Sequence, residues 1–359
     1  MRVLRPRGAI ILDKTFRGLL EIKDVSNVYI TRSLGLFGRR EKKAVLDRIN
    51  LEIGEAEILG LVGESGCGKT TLGRAVLGLI DFTGEIRIGG LRQGGGRGRL
   101  EMAGMVQAVF QDPAESLNPV RRIGAILEEP LVIHRTGSAK ERSALVDHTL
   151  ALVGLDPSYK SRRVSELSGG QKQRIAIGAA LMLRPRLIIA DEAVSSLDVS
   201  VAAQILNLFR ELHRSLGLAI LFISHNLNVV YYLCSRIAVM YKGQIVELGG
   251  AEDIYAMPAH PYTRFLLDSI PDIRGRGFNP AAGGPAEKYG GRADVSGVRG
   301  GEPETGGASS LRLPEGGCRF AERCPFRTSI CGRKTPELVN IAGLGKAEHR
   351  VRCTNFPVF

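Results

Sequence analysis

The stretch of sequence that decides the fold is Gly63-Glu64-Ser65-Gly66-Cys67-Gly68-Lys69-Thr70. It matches the pattern GxxxxGK[ST] and lies between a short apolar run, residues 57–62, and a helical stretch from Lys69 to about Ile80. Glycines let backbone N–H groups turn inward around an anion, and the helix directs the positive end of its dipole to the same place. We therefore expect this phosphate loop (residues 63–70) to bind the phosphates of ATP, and we reject a chance glycine turn before a lysine.

The side chains at the end of the phosphate loop suit a triphosphate. Lys69 can reach the β- and γ-phosphates, and the Thr70 hydroxyl can bind Mg²⁺. Cys67 occupies a position at which the loop acts through its backbone, so the thiol does not change this expectation. The predicted nucleotide contacts of the loop and the following helix are Gly63, Ser65, Gly66, Cys67, Gly68, Lys69, Thr70 and Thr71.

A second element is an apolar strand that ends in two acids. The run from Leu187 to Ala190 is followed by Asp191 and Glu192. Two adjacent carboxylates at the end of a buried strand cost desolvation free energy unless a cation or a reaction needs them. Alone, such a pair would be structural about as often as functional. With the phosphate loop upstream, we expect Asp191 to hold Mg²⁺ and Glu192 to deprotonate the attacking water.

A third element is Leu167-Ser168-Gly169-Gly170-Gln171, followed by a helical run. A serine and two glycines before a helix form a second N-terminus that can receive an anion. One chain has no need of two such sites for one triphosphate. The second site therefore indicates a nucleotide bound to another chain.

These three elements, in this order, resemble the nucleotide-binding domain of ABC ATPases over about residues 20–270. Strand and helix patterns alternate through this region, which is typical of a mostly parallel sheet covered by helices. The resemblance implies an α/β P-loop NTPase with a RecA-like core, an antiparallel β subdomain and an α-helical subdomain. It also implies a head-to-tail dimer, with ATP held between one subunit's phosphate loop and its partner's Ser168, Gly170 and Gln171.

The resemblance implies roles for four further residues. Gln111 would be the glutamine that senses Mg²⁺ and couples to the membrane subunit. Asp198, in Ser195-Ser196-Leu197-Asp198, would lie in the D-loop at the dimer interface. His225 would contact the γ-phosphate, although a lone histidine at a strand end is more often structural. Tyr29 would stack on adenine, although tyrosine at a strand end is common.

Three features resemble the ATP-binding subunits of oligopeptide and dipeptide importers: the run QDPAESLNP at 111–119, the run HPYTR at 260–264, and a cysteine-bearing tail. The sequence around the phosphate loop favours the F-type subunit over its D-type partner. The resemblance then implies a heterodimer of the two types beneath two membrane permease subunits, supplied by an extracytoplasmic solute-binding protein. The expected function is to energise uptake of di- or oligopeptides, or a related solute, from the cytoplasmic face of the membrane.

The cysteine tail has the spacing C-x5-C-x6-C-x21-C. This is not the C-x2-C spacing of a zinc ribbon. A short segment cannot bury a stabilising core of its own, so four thiolates favour a structural metal. Similar tails in the importer family hold a [4Fe–4S] cluster, which we expect here, with zinc and free thiols or disulfides as the alternatives. The cysteines are Cys318, Cys324, Cys331 and Cys353.

Composition predicts four parts: a basic N-terminal extension (1–19), the ATPase domain (20–272), a linker rich in Gly and Pro (273–317) and the cysteine segment (318–359). No run approaches the ~20 apolar residues of a membrane helix. The N-terminus lacks the uninterrupted apolar core of a secretory signal, so we expect the chain to stay in the cytoplasm.

The net charge of +12 is also compatible with a different function, one that involves nucleic acid. The excess lies at the two ends: residues 1–50 carry 12 Lys and Arg against 5 Asp and Glu, and residues 271–359 carry 14 against 9. Such ends could attract lipid headgroups or phosphate, or simply keep the protein in solution. The alternative function is a soluble ABC ATPase acting on ribosomes or nucleic acid. A single phosphate loop and no sustained heptads argue against it, so no nucleic-acid partner is expected.

Overall fold

The computed structural model describes residues 18–32, 40–94, 99–269, 316–341 and 348–355. Nearly all of the predicted basic extension (1–19) and of the predicted linker (273–317) lies outside these residues. The four domain limits therefore stay predictions.

The strands form two sheets. In chain order they are β1 (Leu20–Arg32), β2 (Arg40–Ile53), β3 (Ile58–Val62), β4 (Thr83–Ile88), β5 (Leu91–Arg92), β6 (Val106–Val109), β7 (Leu187–Asp191), β8 (Ala219–Ser224), β9 (Arg236–Tyr241), β10 (Gln244–Gly250), β11 (Val339–Asn340) and β12 (Arg350–Val351). The smaller sheet is antiparallel, in the order β2-β1-β4-β5. The larger sheet has the order β11-β12-β10-β9-β3-β8-β7-β6, and its strands from β9 to β6 are parallel. The predicted mixed α/β architecture is confirmed.

Helices cover the parallel strands. They are α1 (Lys69–Val76), α2 (Arg99–Met105), α3 (Pro113–Ser116), α4 (Ile123–Ile133), α5 (Ala139–Leu152), α6 (Gly169–Leu181), α7 (Val199–Leu216), α8 (Leu227–Leu233), α9 (Ala251–Ala256) and α10 (Pro261–Asp268). Because the parallel strands are buried on both faces, they are continuous apolar runs, which is why the sequence predicts them well.

The helix that follows the phosphate loop is shorter than predicted. It ends at Val76 rather than near Ile80. Gly78 adopts a left-handed conformation with φ of +68° and donates its N–H to the carbonyl of Ala75. A glycine in this conformation just past the last turn is a common helix stop.

The helical subdomain consists mainly of α4, α5 and α6, which contact one another. Val146 and Leu150 of α5 are buried in the main core together with Val153, which follows the helix. This subdomain carries the Ser168 motif at the start of α6.

The cysteine segment joins the larger sheet instead of standing apart. β12 pairs antiparallel with β10, and β11 pairs with β12. Phe320 is 2% exposed and belongs to the same apolar core as β8 and β9. The segment therefore uses the core of the ATPase domain, which explains how so short a piece of chain stays ordered.

Candidate nucleotide site

The phosphate loop lies where β3 leads into α1. A Cβ atom on Gly63, whose φ is +155°, would lie 2.1 Å from the carbonyl oxygen of Met240. Gly66, with φ of +78°, faces open space, with no atom within 4 Å of an added Cβ. Only glycine fits the first position, and the second leaves room for an anion against the backbone. The loop thus has the shape of a phosphate cradle.

The lysine of the loop lies inside this cradle. Lys69 is only 5% exposed, and its Nζ donates to the carbonyl oxygens of Gly63 at 2.8 Å and Glu64 at 3.0 Å. A buried ammonium needs such acceptors. Phosphate oxygens offer acceptors of the same kind, so the ammonium is placed to exchange one set for the other.

Three further residues at or next to the loop were predicted to contact the nucleotide. Cys67 is buried, and burial raises the pKa of its thiol, so the side chain is a neutral packing group. Its carbonyl accepts a hydrogen bond from Gly243 N at 2.8 Å. Ser65 is exposed at the loop tip, and Thr71 is partly buried in the first turn of α1.

A pair of oxygen ligands lies at the end of the loop. The Thr70 hydroxyl donates to Asp191 Oδ1 at 3.2 Å, which joins the start of α1 to the end of β7. Burial raises the pKa of Asp191, and the neighbouring Glu192 adds to that shift. A hydroxyl and a carboxylate in this position are the hard oxygen donors that Mg²⁺ prefers, so the residues present fit the ion.

The two residues predicted to act on the γ-phosphate meet. Glu192 follows β7 and His225 follows the adjacent β8, and His225 Nδ1 lies 3.3 Å from Glu192 Oε2. Glu192 has a left-handed φ of +51°, and its N–H donates to the carbonyl of Ile223 at 2.9 Å. The ends of neighbouring parallel strands therefore place both side chains together.

Gln111 and the predicted D-loop are also neighbours. Gln111 follows β6 and is exposed, and its carbonyl accepts from the Ser196 hydroxyl at 3.3 Å. Asp198 precedes α7, and its carbonyl accepts from Ala202 N at 2.8 Å. Both residues lie at the end of the sheet that carries Asp191.

The predicted partner-facing motif forms the N-terminus of α6. Ser168 Oγ accepts from Gln171 N at 3.4 Å, and Gln171 Oε1 accepts from Ser168 N at 3.0 Å. Gly170 lies against α7, since a Cβ there would be 2.5 Å from Val201 Cγ1. Among the described residues, no hydrogen bond joins Ser168 or Gln171 to the phosphate loop. The motif is thus a reciprocally capped helix end.

Tyr29 lies in β1 and is 41% exposed. Its backbone pairs with Lys43 of β2, the strand whose Val45 carbonyl would lie 2.9 Å from a Cβ on Gly68. The antiparallel sheet thus borders the phosphate loop, and Tyr29 presents a half-exposed ring from that sheet.

The four cysteines of the tail line one cavity, together with Phe320 and His260. All four are free thiols, and within the described part of the chain no three His, Cys, Asp or Glu side chains are arranged to hold a metal ion. Burial raises the pKa of three of the thiols, Cys318, Cys324 and Cys353. Burial acts the same way on Cys331, but hydrogen bonds from Thr328 and Thr354 outweigh it and lower the pKa of that thiol.

One set of contacts at the phosphate loop could not be predicted from the sequence. Arg323 forms a two-bond ion pair with Glu64, and the Tyr262 hydroxyl accepts from Glu64 N at 2.8 Å. Tyr262 lies in the HPYTR run, which the sequence analysis used only as a family feature. No sequence signal joins Arg323 to a loop 259 residues away.

No helix in the described ranges combines the length and the apolar character needed to cross a membrane.

Comparison with known families supports this geometry. The family model for the ABC transporter matches residues 46–195. The model for the oligopeptide/dipeptide transporter C-terminal region matches residues 246–287 and 292–331. The second match covers the run at 260–264 and three of the four tail cysteines.

Two relatives match nearly the whole chain. A peptide import ATP-binding protein of Brucella ovis is 42% identical over 323 residues, which is 89% of this chain and 93% of that protein. The oligopeptide transport ATP-binding protein AppF of Bacillus subtilis is 40% identical over 344 residues, which is 93% of this chain and 96% of AppF.

Two solved structures share the fold. The cbiO1 protein of Clostridium perfringens, part of the ABC transporter complex cbiONQ, has a TM-score of 0.59 at 24% identity and covers 67% of this chain and 92% of that one. The ATP-binding cassette MJ0796, a dimer bound to ADP and phosphate after hydrolysis, has a TM-score of 0.56 at 26% identity and covers 65% and 98%. The chain therefore belongs to the ABC transporter family, as an ATPase of its oligopeptide/dipeptide transporter branch.

Proposed function

We propose that this chain is the ATP-hydrolysing subunit of an ABC importer and energises the uptake of dipeptides, oligopeptides or a related solute. The observation that carries the proposal is the convergence of Lys69, the Thr70–Asp191 pair and the Glu192–His225 pair at one end of the parallel sheet. The names of the two relatives with near-complete coverage support the cargo class.

Within this site each group has a proposed task. Lys69 binds the β- and γ-phosphates, and Thr70, Asp191 and Gln111 hold Mg²⁺, directly or through water. When bound, the ion neutralises charge that develops on the phosphate oxygens. Glu192 accepts the proton of the attacking water, and His225 contacts the γ-phosphate beside it.

The remaining groups act at the edges of the nucleotide. Tyr29 stacks on adenine from the antiparallel sheet. Ser168, Gly170, Gln171 and, from the D-loop, Asp198 meet the nucleotide of a second ATP-binding subunit, which we propose is of the D-type. The helix N-terminus at Ser168 suits this task because it offers N–H groups to an anion.

We propose that the pair of ATP-binding subunits lies on the cytoplasmic face of the membrane beneath two permease subunits, with an extracytoplasmic solute-binding protein delivering the cargo. The test is uptake of a labelled dipeptide into vesicles that contain the permeases, with ATP supplied on the side of this chain. Glu192→Gln should abolish uptake. Recovery of ribosomes or nucleic acid instead of permeases with the purified chain would favour the alternative function.

We also propose that Cys318, Cys324, Cys331 and Cys353 hold a [4Fe–4S] cluster. The supporting observation is that all four line one cavity, together with Phe320 and His260. The thiol groups must move closer together within that cavity to bind a metal, because among the described residues no three of them are arranged to hold one. When bound, a cluster would join the four cysteine positions of the segment through metal–sulfur bonds.

The iron content of the purified protein tests the cluster proposal directly. Protein purified without oxygen should contain about four iron atoms per chain and absorb near about 400 nm. Replacing Cys331 with Ser should lower both values, whereas Cys234→Ser, which changes a buried thiol outside the tail, should leave them unchanged. Stoichiometric zinc without iron would replace the cluster by a zinc site, and metal-free protein would end the metal proposal.

A further inference from the structure

The cysteine segment reaches the phosphate loop through one side chain. Arg323 Nη1 and Nη2 donate to Glu64 Oε2 and Oε1, both at 3.0 Å. Two parallel bonds between a guanidinium and a carboxylate fix direction as well as distance. The ion pair therefore sets the orientation of a side chain that belongs to the loop itself.

Three aromatic rings hold the Arg323 guanidinium in place. Its central carbon lies 4.9 Å from the ring centre of Phe265, 5.7 Å from that of Phe320 and 5.9 Å from that of Tyr241. Arginine stacks well on aromatic faces, and such contacts reduce the freedom that an ion pair must otherwise remove. The three rings thus help to fix the position of the guanidinium independently of its ion pair with Glu64.

The backbone of the loop is held from the same side. Glu64 N donates to the Tyr262 hydroxyl at 2.8 Å, and the ring of Tyr262 lies 5.5 Å from that of Phe320. The carbonyl of Cys67 accepts from Gly243 N, and the preceding residue, Lys242, accepts through its carbonyl from Arg319. The cysteine segment, through Phe320 and Arg319, therefore contacts the residues that support both halves of the loop.

We propose that Arg323 is a positioning residue for ATP binding: through Glu64 it holds the phosphate loop in the conformation that receives the phosphates. The residue touches no nucleotide and acts through the loop. This inference rests on the ATPase activity of the proposed function, and it is independent of the cargo and of any metal in the tail.

The structural alternative is an ion pair that only adds stability. Glu64 and Arg323 are 39% and 41% exposed in their side chains, and exposed pairs contribute only about 0–1 kcal/mol to folding. A stabilising pair of this kind would shift the melting temperature slightly and leave nucleotide kinetics unchanged. If Arg323 positions the loop, its removal should instead weaken binding of the phosphates in both the ground state and the transition state. The variant would then have a higher KM with little change in kcat.

The experiment is a double-mutant cycle on the full chain in its transporter complex. Arg323→Ala and Glu64→Gln should each raise the KM for ATP about two- to fivefold, with kcat within about twofold of wild type. The double variant should resemble either single variant, because both remove the same interaction. Arg323→Lys keeps the charge without the two-bond geometry and should restore part of the affinity.

Arg327→Ala is the matched control, since Arg327 is an exposed arginine of the same segment without an ion pair among the described residues. Its KM should equal that of wild type. An unchanged KM in Arg323→Ala, or effects of the two single variants that simply add, would overturn the positioning role while wild type stays active. A wild-type complex that hydrolyses no ATP would instead overturn the proposed function, and the inference with it.

Discussion

At the residue scale, the position of Glu192 is set by the backbone more than by its side chain. Its φ of +51° is a conformation that residues other than glycine adopt only where the surroundings enforce it. Its N–H donates to the Ile223 carbonyl, and its own carbonyl accepts from the N–H and hydroxyl of Ser195 at 3.1 and 2.9 Å. These bonds fix the backbone of Glu192, from which its carboxylate reaches His225. The site therefore keeps its proton acceptor in place before ATP arrives.

Glu192→Gln should bind ATP and fail to hydrolyse it. The amide keeps the size of the side chain and all of the backbone hydrogen bonds, but it cannot accept the proton of the attacking water. We expect phosphate release to fall by about 10²–10⁴-fold. Phosphate release and binding of a fluorescent ATP analogue should be measured on the same sample.

The control for this variant is Glu211→Gln, an exposed carboxylate on α7. It should leave both quantities unchanged. Normal turnover in Glu192→Gln would remove Glu192 from its proposed role as the base.

At the scale of elements, two helices begin with the same capping arrangement and differ in what they face. Ser138 and Glu141 cap α5, while Ser168 and Gln171 cap α6, each with a hydroxyl that accepts a backbone N–H at 3.4 Å. Both serines are exposed on the helical subdomain. Only the second belongs to the motif that we assign to the nucleotide of the partner subunit. Ser138 and Ser168 can therefore be compared directly, since both cap a helix and only Ser168 has a proposed contact with a nucleotide.

Ser168→Ala and Ser138→Ala should cost similar stability and have different effects on catalysis. Each variant loses one N-cap, worth about 1 kcal/mol. We expect ATP hydrolysis by the assembled transporter to fall at least about tenfold in Ser168→Ala, since a hydrogen bond to a charged group contributes about 1.5–3 kcal/mol. Hydrolysis should be unchanged in Ser138→Ala. Equal activity in the two variants would mean that Ser168 only caps its helix.

The start of α10 carries a buried histidine. His260 Nδ1 accepts from Tyr262 N at 3.0 Å, and burial lowers the pKa of His260 from 6.5 to about 4, with Arg352 adding to the shift and Glu247 opposing it. The fully buried Glu247 carboxylate accepts from His260 N at 2.9 Å and also faces His349 Nε2 at 2.8 Å. His260 therefore caps α10 and joins it to Glu247 of β10, and Glu247 in turn contacts His349 of the cysteine segment.

The stability of the protein should fall as the pH falls from 6.5 toward 4. In that window the unfolded chain binds a proton at this histidine and the folded chain does not, so protonation favours unfolding. His260→Asn keeps an acceptor for the helix cap and removes the titration, so the unfolding free energy lost between pH 6.5 and 4 should be smaller than in wild type by up to about 3 kcal/mol. Denaturant titrations at several pH values measure it.

The exposed His148 of α5 provides the control. His148→Asn should leave the slope as in wild type. If His260→Asn also has the wild-type slope, the acid sensitivity belongs to other groups.

The strands that could be predicted from the sequence are those that are buried on both faces. β3 and β7 are apolar runs, and each begins and ends within two residues of its predicted limits. The long strands β1 and β2 were not predicted, because register shifts between them break the alternation of apolar and polar residues. β11 and β12, with two residues each, carry no periodicity at all.

The same contrast holds for the site. Glu192 and His225 could be predicted to meet because their strands are neighbours in a parallel sheet with a known order of motifs. The contact of Arg323 with Glu64 depends on how a distant segment docks. Several arginines in that segment have the same local sequence character, so no pattern could choose the right one.

At the scale of the whole molecule, the cysteine segment joins both sheets. Through β12 it extends the larger sheet, and Arg319 forms an ion pair with Asp47 of β2 in the smaller one. Arg236 of β9 pairs with both Glu57 and Glu348. The composition of residues 273–317 predicted a linker, and a linker suggests two independent parts. The contacts argue instead that the ATPase domain and the segment unfold together.

Phe320 is the side chain on which this cooperativity depends most. Its ring lies 5.3 Å from that of Tyr241 and 5.5 Å from that of Tyr262, at the junction of β9, α10 and the segment. Phe320→Ala should lower the unfolding free energy of the whole chain by about 3–5 kcal/mol, whereas Phe320→Leu, which keeps most of the volume, should cost less. Urea unfolding should be followed by circular dichroism for the sheet and by thiol labelling for the cysteines. In wild type the two transitions should coincide, because the segment has no core apart from the one it shares. Cysteines that become reactive well before the sheet melts would show that the segment is held independently, and Phe320→Ala would then leave the sheet transition where it was.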